Sequence, residues 1–221
     1  MLRQPSAAIF DLDGVLLDTE PLYTQATQNV LDRFGILYEP SLKRHIMGRS
    51  PQAGATWLVN SLALPLTAEQ YLREREGLLR ELFLDCPAIH GAESLVRNLH
   101  SRDIRLAVAT SCERAMYELK VRPHPWFDLF RAVVCGDDPG IGQSKPEPDI
   151  FLLAASKLDV SNDQCLIFED SPAGVSAGKA ARMRVIALLS APVVRSDLVG
   201  ADVIVSSYDE IDADQLLVSN Q

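Results

Sequence analysis

Four short polar groups in this 221-residue chain carry residue types suited to chemistry on an anion: Asp11-Leu12-Asp13-Gly14, Thr110-Ser111, Ser144-Lys145-Pro146 and Glu169-Asp170-Ser171-Pro172. Asp11, Asp13 and Asp170 are hard oxygen donors in a number that suits Mg2+, which shares its ligands with water and substrate phosphate. Thr110 can donate a hydrogen bond to a phosphate oxygen, and Lys145 supplies a compact positive charge. A carboxylate approaching a phosphate dianion is repelled by about 4 kcal/mol per pair of unit charges, at roughly 4 Å and an effective dielectric near 20. A divalent cation and a lysine together reverse that sign. One aspartate can then attack phosphorus. A second, two residues on, can protonate the leaving oxygen and later activate water.

Each group also has an ordinary explanation. Asp-x-Asp-Gly is often only a turn. A calcium EF-hand loop is excluded, because Gly14 stands at loop position four rather than six. Thr110-Ser111 reads equally as a cap for the next helix. Ser171-Pro172 reads as a helix start with Pro in the first turn, and Asp170 as charge favourable to that helix end. Asp137 and Asp138 fit a polar loop, Lys145 a solvated one. His45, His90, His100 and His124 show no ligand spacing and read as surface or packing residues.

The elements around these groups decide between the two sets of readings. Ala7 to Phe10, Arg105 to Thr110, Ala132 to Cys135, Leu166 to Phe168, Val185 to Leu189 and Val203 to Val205 are short continuous apolar runs, the signature of strands buried on both faces. Helical spacing falls between them: Ala92 to His100, Glu113 to Lys120, Asp149 to Leu158 and Ala173 to Ala181. Repeated βα units predict an α/β fold, a Rossmann-like parallel sheet covered by helices. After the first strand the pattern is wholly helical for about 70 residues. It includes a helix from Pro21 closed by Gly35, one around Trp57, Leu58 and Leu62, and one from Glu69 to Phe83. The expected organisation is a core of residues 1–17 and 88–221 with a helical insertion at 18–87. In an open α/β sheet, ligands bind at the carboxyl ends of the strands. All four polar groups follow strands, so their joint placement is the signal that no single group provides.

Composition narrows the partners. A net charge of −9 argues against a nucleic-acid groove and implies that an anion-handling site needs a metal ion or local cations. Four cysteines at 86, 112, 135 and 165 include no CxxC pair, which speaks against zinc and against a disulfide framework. Asp11 and Asp13 interrupt any signal-peptide apolar region, and Val185 to Val194 is far below the ~20 residues of a membrane span. The expectation is a soluble, cytoplasmic protein acting on a small phosphorylated metabolite, as a monomer or weak homodimer, with no nucleic-acid or membrane partner.

Asp11-Leu12-Asp13-Gly14-Val15, Ala109-Thr110-Ser111, Lys145-Pro146-Glu147-Pro148-Asp149 and Phe168-Glu169-Asp170-Ser171-Pro172-Ala173-Gly174 resemble, in order, the four motifs of the haloacid dehalogenase-like superfamily. The resemblance runs from about Ala7 to Leu189, and the helical block is similar to that family's cap domain. It implies Asp11 as nucleophile and Asp13 as general acid/base. It implies Mg2+ held by Asp11, the Asp13 carbonyl and Asp170, with Glu169 helping through metal-bound water. Thr110, Ser111 and Lys145 would bind the phosphoryl group. Aspartate at position 13 points to phosphoryl transfer rather than dehalogenation. Asp18-Thr19-Glu20, Ile46-Met47-Gly48-Arg49 and Gly136-Asp137-Asp138-Pro139 most resemble the pseudouridine-5′-phosphatase and glycerol-phosphatase-like group, where Arg49 would face the substrate. The β-phosphoglucomutase-like branch is the nearest alternative; it usually carries a His after the first motif, where this chain reads Glu20-Pro21-Leu22-Tyr23. A phospho-accepting receiver module lacks both the insertion and the second acid. Two departures stand out: Ser144 and Arg182 occupy positions where the family usually has Gly.

Overall fold

A computed structural model describes residues 5–46, 51–190, 193–212, 214 and 216. The chain forms two compact units, Met1–Asp18 with Pro87–Gln221, and Thr19–Cys86.

The first unit is built on a six-stranded parallel sheet. Its strands are β1 (Ala7–Phe10), β2 (Arg105–Thr110), β3 (Ala132–Cys135), β4 (Cys165–Glu169), β5 (Arg184–Leu188) and β6 (Val203–Val205), in the order β3-β2-β1-β4-β5-β6. β1 and β4 are buried at every residue, which is why they read as unbroken apolar runs. The register sets Phe10 beside Val108 on one side and Phe168 on the other. One step further along, Asp11 falls next to Ala109 and Glu169, and its N–H donates to the Phe168 carbonyl at 3.0 Å. The sheet order thus brings three of the four polar groups to adjacent strand ends before any side chain is considered.

Helices between the strands supply the cover. α7 (Asp149–Leu158) turns Ile150, Phe151, Ala154, Ala155 and Leu158 into a core shared with Ile9, Ala107, Val134 and Ile167. α8 (Pro172–Ala180) starts as its sequence predicts: Ser171 caps it by accepting the Gly174 N–H, and Pro172 occupies its first turn. Gly178 lets that helix approach the sheet, since a Cβ there would meet Val185 Cγ2 at 2.6 Å and Ile167 Cδ1 at 2.9 Å. Arg182 follows the helix with φ +60°, and the Met183 N–H closes the turn onto the Gly178 carbonyl at 3.1 Å. Arginine pays the left-handed strain itself, about 1 kcal/mol relative to glycine.

The second unit is helical: α1 (Glu20–Asp32), α2 (Pro40–Ile46), α3 (Pro51–Ser61) and α4 (Ala68–Leu82). Past the end of α1, Gly35 takes φ +66° and the Ile36 N–H bonds back to the Leu31 carbonyl. α4 opens on a Thr67/Gln70 capping box and carries the expected Glu69–Arg73 and Glu76–Arg80 pairs at 3.1 and 2.7 Å. Val30, Leu31, Leu58, Val59 and Tyr71 form its core. The sequence pattern missed α2: its seven residues bury none of their number, so they leave no apolar period to read. No helix of the described residues is long and apolar enough to cross a membrane.

Candidate active site

Asp11 leaves the end of β1 into a tight turn. Gly14 adopts φ +79°, and its N–H bonds to the Leu17 carbonyl at 2.8 Å. The turn buries Leu12, Val15, Leu16 and Leu17 completely. The apolar side chains of this segment anchor it and leave its two aspartates for other work. A Cβ at position 14 would sit 2.1 Å from Asp170 Oδ2, so the glycine serves both the turn and the close approach of that carboxylate.

Lys145 joins the strand ends. Its Nζ donates to Asp11 Oδ1, to Glu169 Oε1 at 2.6 Å and to the Ala109 carbonyl at 3.3 Å, tying the ends of β1, β4 and β2 to one ammonium. It is not a solvated loop charge: its side chain is 7% exposed, and its Nζ lies 5.0 Å from the centroid of the Phe151 ring. Glu169 is fully engaged. Its Oε2 accepts the N–H groups of Asp170 and Ser171 at 2.9 and 3.0 Å and the Ser171 hydroxyl at 3.0 Å. Gly174 makes room for it, because a Cβ there would fall 1.8 Å from Glu169 Cδ.

Asp13 pairs elsewhere. Its Oδ1 accepts a 2.6 Å hydrogen bond from Lys120, a lysine with no exposed side-chain surface on α6 (Arg114–Val121). Thr110 is buried at the end of β2; its Oγ1 accepts the Cys112 N–H and donates to Cys112 Sγ, both at 3.2 Å. Thr110-Ser111 does not cap α6. Glu113 holds the N-cap position, and the Arg114 N–H donates instead to Asp137 Oδ1 at 2.8 Å. Ser111 is exposed, and its backbone packs where a Cβ on Gly136 would lie 2.4 Å from its carbonyl oxygen. Arg49 lies outside the described residues, as do Met47 and Gly48.

Four carboxylates (Asp11, Asp13, Glu169, Asp170) therefore share one strand edge with two ammonium groups. Burial pushes the Asp11 carboxyl up to about 7; Lys145 opposes this, and the Glu169 and Asp13 charges add to it. Burial also raises Asp170 well above the usual carboxylate range, reinforced by Glu169 and Asp11. Burial would lower Lys145, but the charges of Asp11 and Glu169 outweigh it and raise the ammonium. Hard oxygen donors in excess of the local cations, with Asp170 Oδ2 seated in the space that Gly14 leaves open, could serve a divalent cation. Among the described residues, the acidic group whose ligand atoms all lie within 4.8 Å of one another is a different one, Cys135, Asp137 and Asp138. Its carboxylates are already occupied: Arg114 donates to both oxygens of Asp138 at 2.8 and 2.7 Å, and Lys157 to Oδ2 at 3.3 Å.

Sequence reasoning missed three supporting residues. Lys120 was detectable as a lysine three residues after Tyr117 and four after Met116, on the face α6 turns inward. Tyr208, buried, donates its hydroxyl to the Val15 carbonyl at 2.9 Å and so holds the turn after Asp11. Arg114 left no signal, since its partners come from the loop after β3.

Four carboxylates and a bridging lysine gathered at the carboxyl ends of a parallel sheet have the charge and donor set that phosphoryl-transfer chemistry uses. The haloacid dehalogenase-like hydrolase family profile matches residues 8–188, and the chain belongs to that family. It is 40% identical over 190 residues to a Drosophila melanogaster protein named "Probable pseudouridine-5'-phosphatase", covering 84% of this chain and 82% of that one. It is 39% identical over 217 residues to (DL)-glycerol-3-phosphatase 2 of Arabidopsis thaliana, covering 96% and 85%. Among solved structures, a HAD family hydrolase from Deinococcus radiodurans with bound phosphate and sodium superposes with a TM-score of 0.83 at 26% identity, covering 97% of this chain and 98% of that one. With its family and these phosphatase relatives, the chain is a phosphoric monoester hydrolase.

Proposed function

We propose that the protein is a Mg2+-dependent phosphatase for a small phosphate monoester: a sugar, polyol or nucleoside 5′-phosphate such as pseudouridine 5′-phosphate. The observation that carries this reading is the buried contact of Lys145 with Asp11 and Glu169, beside an Asp13 that holds its own lysine. Asp11, the Asp13 carbonyl and Asp170 would hold the cation, which supplies positive charge against the repulsion between the attacking carboxylate and the phosphate.

The chain's own groups do the rest. An Asp11 oxygen forms a bond to phosphorus while the ester P–O bond breaks, and Asp13 gives a proton to the departing alcohol. Asp13 then takes a proton from water as that water attacks phosphorus, the bond to Asp11 breaks, and inorganic phosphate leaves. Lys145 steadies the phosphoryl charge throughout. Glu169 fixes Lys145 and the loop leading into α8. Thr110 and Ser111 are assigned to the phosphoryl oxygens, Thr110 by exchanging its Cys112 contact for one to phosphate. Substrate choice is assigned to the helical unit, with Arg49 as a substrate contact.

The test is phosphate release from a panel of sugar, polyol and nucleoside phosphates. Release is expected with Mg2+ and not with EDTA, and not from Asp11→Asn. Activity surviving both treatments would overturn the mechanism. Isomerisation of a sugar phosphate with little free phosphate would replace hydrolysis by the mutase reading.

A further inference from the structure

Lys120 poses a question that the phosphatase reading leaves open. It lies 107 residues from Asp13 in sequence, in the last turn of α6, and its side chain has no exposed surface. Asp13 is 28% exposed and could be solvated without help. Burying an ammonium is costly even when it is paired, and an apolar residue of similar volume commonly serves stability better. Packing alone under Asp13 does not call for a charged side chain.

The contact divides the carboxylate. Oδ1 accepts Lys120 Nζ at 2.6 Å, whereas Oδ2 has no protein partner among the described residues. The neighbouring thiol, Cys112, is held by Thr110 and brings no competing charge, because burial keeps it protonated by pushing its pKa up to about 11.

We propose that Lys120 is a positioning residue: its ammonium fixes one oxygen of Asp13 and leaves the other as the single oxygen through which protons are exchanged with leaving group and water. The inference rests on the phosphatase reading and deepens it. In the first step the proton on Oδ2 passes to the ester oxygen as the P–O bond breaks, leaving Asp13 as a carboxylate beside Lys120. In the second, Oδ2 takes a proton from the attacking water. A misplacement of about 1 Å in such a group costs on the order of 100-fold in rate.

The experiment compares Lys120→Met with wild type on two esters, glycerol 3-phosphate and 4-nitrophenyl phosphate; pseudouridine 5′-phosphate replaces the first if wild type turns it over faster. Single-turnover release of the leaving group isolates the first step. An alkoxide needs a proton to depart and 4-nitrophenolate does not. Release of the alcohol is therefore expected to slow about 100-fold, release of 4-nitrophenolate less than about threefold, with KM for both within about twofold. Because the comparison is a ratio on one preparation, the folded fraction cancels. If melting shows that the Met variant does not fold, Lys120→Gln serves the same ratio. In an Asp13→Asn background, Lys120→Met is expected to add no further loss. Equal slowing of both esters, or no slowing, would overturn the role of Lys120 and leave the phosphatase reading intact. A wild type that hydrolyses no ester in the presence of Mg2+ would overturn the phosphatase reading itself.

Discussion

Two acidic groups stand at the carboxyl ends of the same sheet, and they are built on opposite principles. At β3, Asp138 meets both Arg114 and Lys157, and Asp137 accepts the Arg114 backbone N–H, so two acids face two cations. Burial would raise the Asp138 pKa, but the hydrogen bond from Arg114, with others, holds it below the usual carboxylate range. At β1 and β4, four carboxylates meet two lysines, and both Asp11 and Asp170 are pushed upward. The first group is complete as it stands. The second keeps negative charge in surplus, and that surplus is what a bound divalent cation would balance before an anionic phosphoryl group could approach. Proximity of acids therefore says little; the local charge balance separates a structural cluster from a reactive one.

Four measurements sharpen or break this contrast. The largest difference is expected between Asp11→Asn and Asp138→Asn: the first should lower kcat by about 10⁴-fold or more, as removal of a nucleophile does, and the second should leave kcat within about twofold. Comparable losses in the two variants would erase the distinction. Next is Gly174→Ala. The added methyl would collide with Glu169, so Lys145 should lose one of its two carboxylates and kcat should fall on the order of 100-fold. A near-normal kcat would show that Glu169 is dispensable.

Third, Mg2+ should raise the melting temperature, by the equivalent of about 2.7 kcal/mol at a hundredfold excess over its Kd, and Asp138→Asn should show the same gain. A gain that disappears in Asp138→Asn but persists in Asp170→Asn would place the cation in the wrong cluster. The smallest effect is on stability alone. Asp138→Asn should cost about 2 kcal/mol near neutral pH. Because the Asp138 pKa is depressed in the folded protein, its contribution is present above the unfolded value near 4 and lost as pH falls through the lower folded value. Denaturation curves for wild type and variant should converge in that acid range. A constant gap would assign the stability to packing instead.

Much of the active edge was legible because a parallel sheet converts sequence position into spatial position with few free choices. Each buried strand is an apolar run, all run the same way, and whatever follows them meets at one edge. Asp11, Lys145, Glu169 and Asp170 were found by that rule. The roles within the edge were less legible. Glu169, expected to help through metal-bound water, also engages Lys145 and the loop after β4, contacts that sequence spacing does not reveal. Arg49 lies outside the described residues.

What the sequence determined by itself was the α/β fold, the helical insertion and the gathering of four polar groups, since strand burial and helical period are written in local patterns. Tertiary structure alone decided which cation meets which acid. A lysine stem spans several ångströms and can turn either way, so Lys120 on its helix became the partner of Asp13 only when α6 was packed with that face inward.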